Sequence, residues 1–447
     1  MLMNELFVRM TRTRPLRVGL SYAFLATSVL ASVVARPATA QTAAAQTAAA
    51  QKPAPAPAPV AAEPPAPTQT PTVGPQTAAP PPAPEPPPAV APPGPPPSEF
   101  PPISVALWTR SIAAIQGETD PAKLDDIGFE SNFAEINLAG QIHKNARMAT
   151  NIYADGLSGS VQILDAWIGF DFADEAHLFV GQMLIPVDRA NKAGPFFSIP
   201  LNFFAGNFAV GGTRVLAIPI EGTRGRGTGG VFWGDLIEGK LKYLLGAFLD
   251  QTPTTSPLYS GRVGYSFIGK EKAGFGQAAS FYGQAETDVV TLALGAQYRK
   301  DGSVAAAPPA GTTPPPPVAA PDDFAEVNAD LFGEFKLAEG AFVTGEADFY
   351  HFSGDNRVAD NVFAVMGAYA SPVIGIGQIQ PMLRFQFANG ENEQSAIAID
   401  AQVGYLIRQQ RLRVIANFQH TELKNYGAGA ADLSANKLQL AVQAQFF

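Results

Sequence analysis

Residues Asn436 to Phe447, NKLQLAVQAQFF, end the chain. Leu438, Leu440, Val442, Ala444 and Phe446 alternate with Gln439, Gln443 and Gln445. On a strand this period of two sends the apolar groups to one face and the amides to the other. Half-buried strands of soluble proteins alternate in the same way, so the deciding feature is the pair of Phe at the end. A closing strand with a terminal aromatic is a mark of bacterial outer-membrane barrels, whose last strand pairs with the first so that no edge is left in lipid. Phe447 is out of phase with Phe446, which leaves the end point of this strand open.

The rest of the chain from Ile103 onward reads as the wall that this strand closes. Leu412, Val414, Ala416 and Phe418 alternate with Arg411, Arg413, Asn417 and Gln419. Val327, Ala329, Leu331 and Phe335 oppose Glu326, Asn328, Asp330 and Glu334, and Leu164, Ala166, Ile168 and Phe170 oppose Asp165 and Asp171. Counting such segments from 103–115 to 436–447 gives about sixteen strands, the even number expected of a closed antiparallel transmembrane β-barrel. With the last strand ending in the periplasm, the short connections His143–Asn145, Ala173–Ala176, Ile237–Gly239, Leu337–Gly340 and Gln409–Gln410 fall on that side. The longer ones, 187–226, 300–323 and 422–435, fall outside the cell. The connection 268–286 is long yet periplasmic, against the trend.

Upstream of the barrel lie two segments of different character. Arg9, Arg12, Arg14 and Arg17 precede an apolar run from Val18 to Val34, and Ala38-Thr39-Ala40 offers a small-residue cleavage site. This is the layout of a secretory signal peptide over residues 1–40. Residues 41–102 are almost only Ala, Pro, Gln and Thr, a composition expected to form a disordered periplasmic tether that spaces or contacts the cell wall.

Bulk composition excludes several classes. The 447 residues include no Cys, which removes thiol chemistry, Cys-bound zinc and disulfides. After the N-terminal region no apolar run is long enough for a membrane helix. Of 30 basic and 39 acidic residues, 6 and 4 precede Ile103, leaving 24 and 35 and a balance of −11 that argues against nucleic acid as a partner. No phosphate loop, zinc motif or calcium-loop spacing is present, so no cofactor or metal is expected. His351 and Ser353, with Asp355 nearby, form the only close His/Ser pair, and one such pair does not make an enzyme.

Several stretches resemble the phosphate-selective porin O and P family. They are Leu164-Asp165-Ala166-Trp167 with the following His177–Gln182 and Pro186, the Gly-rich hairpin Gly229–Leu249, Gly261-Arg262-Val263, Gly367-Ala368-Tyr369, Pro381–Phe385 and Gly404–Ile407. The resemblance spans roughly residues 103–447. It implies a sixteen-stranded outer-membrane porin for small hydrophilic solutes or anions, usually a homotrimer, with an extracellular loop folded inward to narrow the pore. The lysine and arginine ladder on which phosphate selectivity rests in that family has no clear counterpart here.

If the apolar parity faces outer-membrane lipid, the other faces water. Its basic members are Arg147, Arg262, Arg384, Arg408, Arg411 and Arg413, and its acidic members are Glu326, Asp330, Glu334, Glu346 and Asp348. Acid on one sector and base on another would set a field across the pore. Arg408 and Arg411 could instead frame a turn. Segment 187–226 is the candidate constriction loop, with Arg189, Lys192, Arg214, Arg224 and Arg226. The expected function is a porin passing small hydrophilic solutes by diffusion, with an anion or phosphate preference implied by the resemblance. The alternative is a structural barrel with a plugged lumen, anchored to the cell wall through its tether.

Overall fold

The computed structural model describes residues 103–118, 126–202, 209–210, 213–214, 225–249, 256–271, 287–303, 322–354, 359–390, 394–408, 411–425 and 432–446. The signal peptide, the tether and Phe447 lie outside the described residues. Within them the alternating segments form β1 (Ile103–Glu118), β2 (Asp126–His143), β3 (Ala146–Asp155), β4 (Val161–Ala173), β5 (Ala176–Leu184), β6 (Ala209–Val210), β7 (Thr213–Arg214), β8 (Arg226–Leu236) and β9 (Leu241–Leu249). The series continues with β10 (Leu258–Ile268), β11 (Val289–Ser303), β12 (Asp322–Lys336), β13 (Phe342–Ser353), β14 (Asn361–Ala370), β15 (Gly377–Asn389), β16 (Ser395–Ile407), β17 (Leu412–Lys424) and β18 (Leu433–Phe446). One α-helix is described, α1 (Arg189–Phe197).

All strands except β6 and β7 join one closed antiparallel barrel of sixteen strands, each paired with its neighbours in the chain. Closure is made by β1 and β18, in register from Leu107 opposite Phe446 to Glu118 opposite Ala435. Every strand therefore has two partners, and the backbone N–H and C=O groups of the wall are paired within the sheet, as a span through hydrocarbon requires.

The barrel sorts its side chains inside out. Leu438, Leu440, Val442 and Phe446 are exposed, whereas Gln439, Gln443 and Gln445 on the same strand are buried. Similarly, Val263, Leu294, Val327, Leu383 and Val403 are exposed while Arg262, Gln297, Glu326, Arg384 and Gln402 are buried. A soluble sandwich would show the reverse; apolar outside and polar inside is the pattern of a barrel in lipid. At one end of the barrel most connections are tight, such as Leu236 to Leu241 with positive φ at Ile237, Glu238 and Gly239. The long connection from β5 to β8 leaves from the other end.

Two sequence expectations need correction. Leu164 does not face lipid with Ala166 and Ile168. The register between β3 and β4 shifts between Asn151 and Ile152, an extra residue on β4 that turns Leu164 inward, where it is buried against Phe133, Tyr153 and Phe196. On the outside, Gln182 donates from Nε2 to the carbonyls of Ile163 and Leu164 at 2.8 and 2.9 Å, satisfying oxygens at the irregularity. Nor do Arg408 and Arg411 stand on the inner wall. β16 stops at Ile407, Arg408 takes φ +51°, and both arginines are exposed in the turn to β17.

The face assignment predicts the cost of reversing it. Leu440→Arg, near the middle of β18 on the lipid side, should lower unfolding stability by about 2–4 kcal/mol. Urea unfolding in lipid vesicles, followed by the heat-dependent shift of the folded band, measures it; an unchanged midpoint would show that Leu440 does not meet hydrocarbon.

Candidate functional site

The connection between β5 and β8 folds into the barrel, and its described part forms a strap across the lumen. Its two feet are tied together: Ile185 N–H donates to Gly225 O at 3.1 Å, and Asn191 Nδ2 donates to the carbonyls of Ile185 and Gly225 at 2.9 and 3.2 Å. Gly225 has φ +76°, and a Cβ there would lie 2.1 Å from Asn191 Oδ1, so this foot favours glycine. Arg226, the next residue, makes a two-pronged ion pair with Asp165 on β4, both contacts at 3.2 Å.

Asp188 starts α1 as its N-cap, with Oδ1 accepting from Asn191 N–H at 2.5 Å. Burial pushes its carboxyl up to about 6; the Asn191 N–H and the nearby Arg262 oppose that shift, and Asp330 adds to it. Arg189 follows, fully buried, with Nε on Asp330 at 2.8 Å, Nη2 on Glu271 at 2.5 Å and its guanidinium 4.5 Å from the Phe332 ring centre. Arg262 reaches the other oxygen of Asp330 at 2.6 Å. Lys192 is also buried, and burial first, then the positive charges of Lys242 and Arg262, hold its ammonium well below the usual lysine range.

The helix carries Phe196 across to the first staves, where it meets Trp108 and Phe133 at ring distances of 5.4 Å each. Beyond it, residues 198–202 run through a series of bends beside β1 and β15 to β18. Their backbone groups have no sheet partner, and inner-wall side chains take that place. Arg413 donates to Ser198 O and Ile199 O at 2.8 Å each, and Arg110 donates to Leu201 O. The Gln402 amide imitates a strand neighbour, donating to Ile199 O at 2.9 Å and accepting from Leu201 N–H at 2.8 Å. Gln443 and Gln445 donate to Phe196 O at 2.9 and 2.8 Å. Asn202 donates to Asp400 at 3.1 Å and to Gln439 at 2.9 Å, and Arg384 pairs with Asp400 at 2.9 Å while reaching Asn202 O at 3.2 Å. Ile199 and Leu201 land on the few apolar side chains of the inner wall, Ile199 among Phe332, Met366 and Met382 and Leu201 among Ile112 and Ile415.

The residues singled out from the sequence are thus distributed as follows. Arg262, Arg384, Arg413, Glu326, Asp330, Glu334, Glu346 and Asp348 are buried on the inner wall. Arg147 is on that wall near the tight turns, paired with Asp171 at 2.9 Å; the same carboxylate meets His177 Nδ1 at 2.6 Å. Arg189 and Lys192 lie on the strap. Arg224, the side chain of Arg214 and most of 268–286 and 300–323 lie outside the described residues. His351 faces outward with Nδ1 on Asn361 Oδ1 at 2.9 Å, and Asp355 is not among the described residues. Sequence reasoning missed Arg110, Gln402 and the glutamines of β18 as strap holders. A signal existed: Ile415, Phe332, Met366 and Ala441 are apolar residues at inner parity, and each lies under the strap.

No family model matches the chain, and no curated protein matches it in sequence. Among solved structures, OprB of Pseudomonas putida, determined at high pH, superposes with a TM-score of 0.54 at 13% identity, over 77% of this chain and 94% of that one. The anion-selective porin of Comamonas acidovorans gives 0.49 at 14% identity, over 77% and 100% of the two chains. The outer membrane channel DcaP of Acinetobacter baumannii gives 0.48 at 10%, over 77% and 97%. The first likeness shows the fold, that of an outer-membrane β-barrel; the other two, below 0.5, carry no argument.

If Gln402 acts as a surrogate strand, Gln402→Leu strips Leu201 N–H of its partner in a buried place. The expected loss is about 1–3 kcal/mol of stability, with faster hydrogen exchange confined to a peptide covering residues 198–202. Exchange rates there equal to those of the unaltered protein would refute the role.

Proposed function

We propose that the protein is a porin of the bacterial outer membrane, a channel for passive diffusion of small hydrophilic solutes. The observation that carries this reading is the strap: a long connection folded inside a closed, polar-lined barrel and held there by charged side chains, which narrows a passage without adding catalytic groups. The finer part of the proposal is an anion preference, with phosphate the candidate that the resemblance suggests. Arg413 supports it, since it places a guanidinium beside the strap, bonded to the neutral carbonyls of Ser198 and Ile199 and with no ion pair among the described residues. Assembly as a homotrimer belongs to the same proposal and rests on the resemblance, and cell-wall contact through residues 41–102 rests on their composition. A second reading, a structural barrel with a closed lumen, is favoured by the reach of the strap from the β12 wall to β17.

Planar-bilayer recording of the refolded full-length mature chain under a potassium chloride gradient, with phosphate then added, separates these readings. Stable open steps with a reversal potential on the anion side are expected, and Arg413→Gln should move that potential toward the cation side. Cation-selective steps would retain the porin and remove the anion preference. A folded, heat-modifiable barrel without conductance would leave the structural reading.

A further inference from the structure

The inner wall of β11, β12 and β13 beside the start of the strap is rich in buried acid. Asp330 and Asp348 face each other across β12 and β13, with Glu346 and Glu326 on the same buried face. Asp188 lies within electrostatic reach of Glu326, Asp330 and Asp348. Asp330 is matched by Arg189 and Arg262. Asp348 has no ion pair among the described residues, and its Oδ1 has no hydrogen-bond partner there.

A second, independent feature lies alongside. Glu326 is held by amides rather than cations: Gln297 Nε2 donates to one oxygen and Asn328 Nδ2 to the other, the latter at 2.8 Å. Both amides point their NH2 groups at the carboxyl and so turn their oxygens away from it. Those oxygens, Gln297 Oε1 and Asn328 Oδ1, are buried and meet no donor among the described residues. Asn328 Oδ1 instead faces another acceptor. A Cβ on Gly295 would sit 2.0 Å from Val187 O and 2.5 Å from Asn328 Oδ1, so the first turn of the strap presses its carbonyl toward the amide oxygen over a bare glycine. Asn328 pairs with Tyr350 and Asp330 with Asp348, which puts Asp348 diagonal to Asn328 on the shared face.

Two oxygens side by side, Val187 O and Asn328 Oδ1, with the carboxylate of Asp348 diagonal to them, call for a partner that brings positive charge and wants only oxygen. We infer that Asp348, Asn328, Gln297 and the carbonyl of Val187 form a site for a hard metal cation that fastens the first turn of the strap to the wall. Such cations are bound by carboxylate, amide and backbone oxygens together. Few charged ligands place a calcium affinity at about 10⁻⁴–10⁻³ M. The site does not depend on whether the barrel conducts.

The test uses the refolded mature chain in detergent, free of lipopolysaccharide and stripped of divalent ions by chelator, titrated with calcium chloride by calorimetry and by thermal unfolding. One saturable site and a raised unfolding midpoint are expected. Asp348→Asn, nearly isosteric, should weaken binding by roughly tenfold or more, and Asn328→Leu should do the same if its folded band persists. No saturable binding by the unaltered protein would overturn the inference. So would equal binding by the unaltered protein and Asp348→Asn, which would place calcium elsewhere. An ion-independent gain in stability for Asp348→Asn without calcium binding by the parent would show that a proton does the balancing, and would overturn it as well.

Discussion

A backbone in hydrocarbon has no water to bond to, and the rest of this structure follows from that constraint. Sixteen strands meet it by closing on themselves, with β1 and β18 completing the ring. Closure then fixes parity. Because each strand is paired on both sides, a residue faces either lipid or lumen, and a slip of one position would send a row of glutamines into lipid. The exposed leucines and valines of β18 and its buried glutamines are two expressions of the same rule.

The lumen poses the opposite problem. An inner wall of arginines, glutamines and acids is stable only if its donors and acceptors find partners, and an irregular strap inside a barrel is stable only if its backbone does. Each supplies what the other lacks. Arg110, Arg413 and Gln402 give residues 198–202 the hydrogen bonds that a neighbouring strand would have given, and the strap gives those side chains carbonyls to bond. The strap is also pinned by packing, since Ile199 and Leu201 cover apolar residues that would otherwise face water. Loops normally depend on their own turns for order. Here order is imposed from the wall.

This division explains what could be read from the residues alone. Strand positions were legible because period two is a local signal: β3 and β10 begin and end where the alternation does. The closing pair was legible from the last strand. Leu164 was not, because one extra residue reverses parity without altering composition, and nothing near it marks the change. Arg408 has inner parity by counting, yet its strand ends one residue earlier. The strap holders were invisible for another reason. Gln402 and Leu201 are 201 positions apart, and the group that Gln402 binds is backbone, which carries no side-chain pattern. Only the apolar exceptions at inner parity betray the strap's path, and they are easily taken for noise in an otherwise polar row.

The strap's path also organises the charge of the lumen. Its first turn sits at β10 to β13, where Asp330 draws Arg189 and Arg262 and where Glu326, Glu346 and Asp348 add further acid. Residues 198–202 sit at β1 and β15 to β18, where Arg110 and Arg413 bond carbonyls of the strap and Arg384 pairs with Asp400. The strap is therefore anchored both beside the acids of β12 and β13 and beside the arginines of β1, β15 and β17. Moving the strap would uncover both sectors at once, since the same side chains that set the potential hold the backbone in place. A side chain that bonds the strap thus cannot be altered without also changing the electrostatic field beside it.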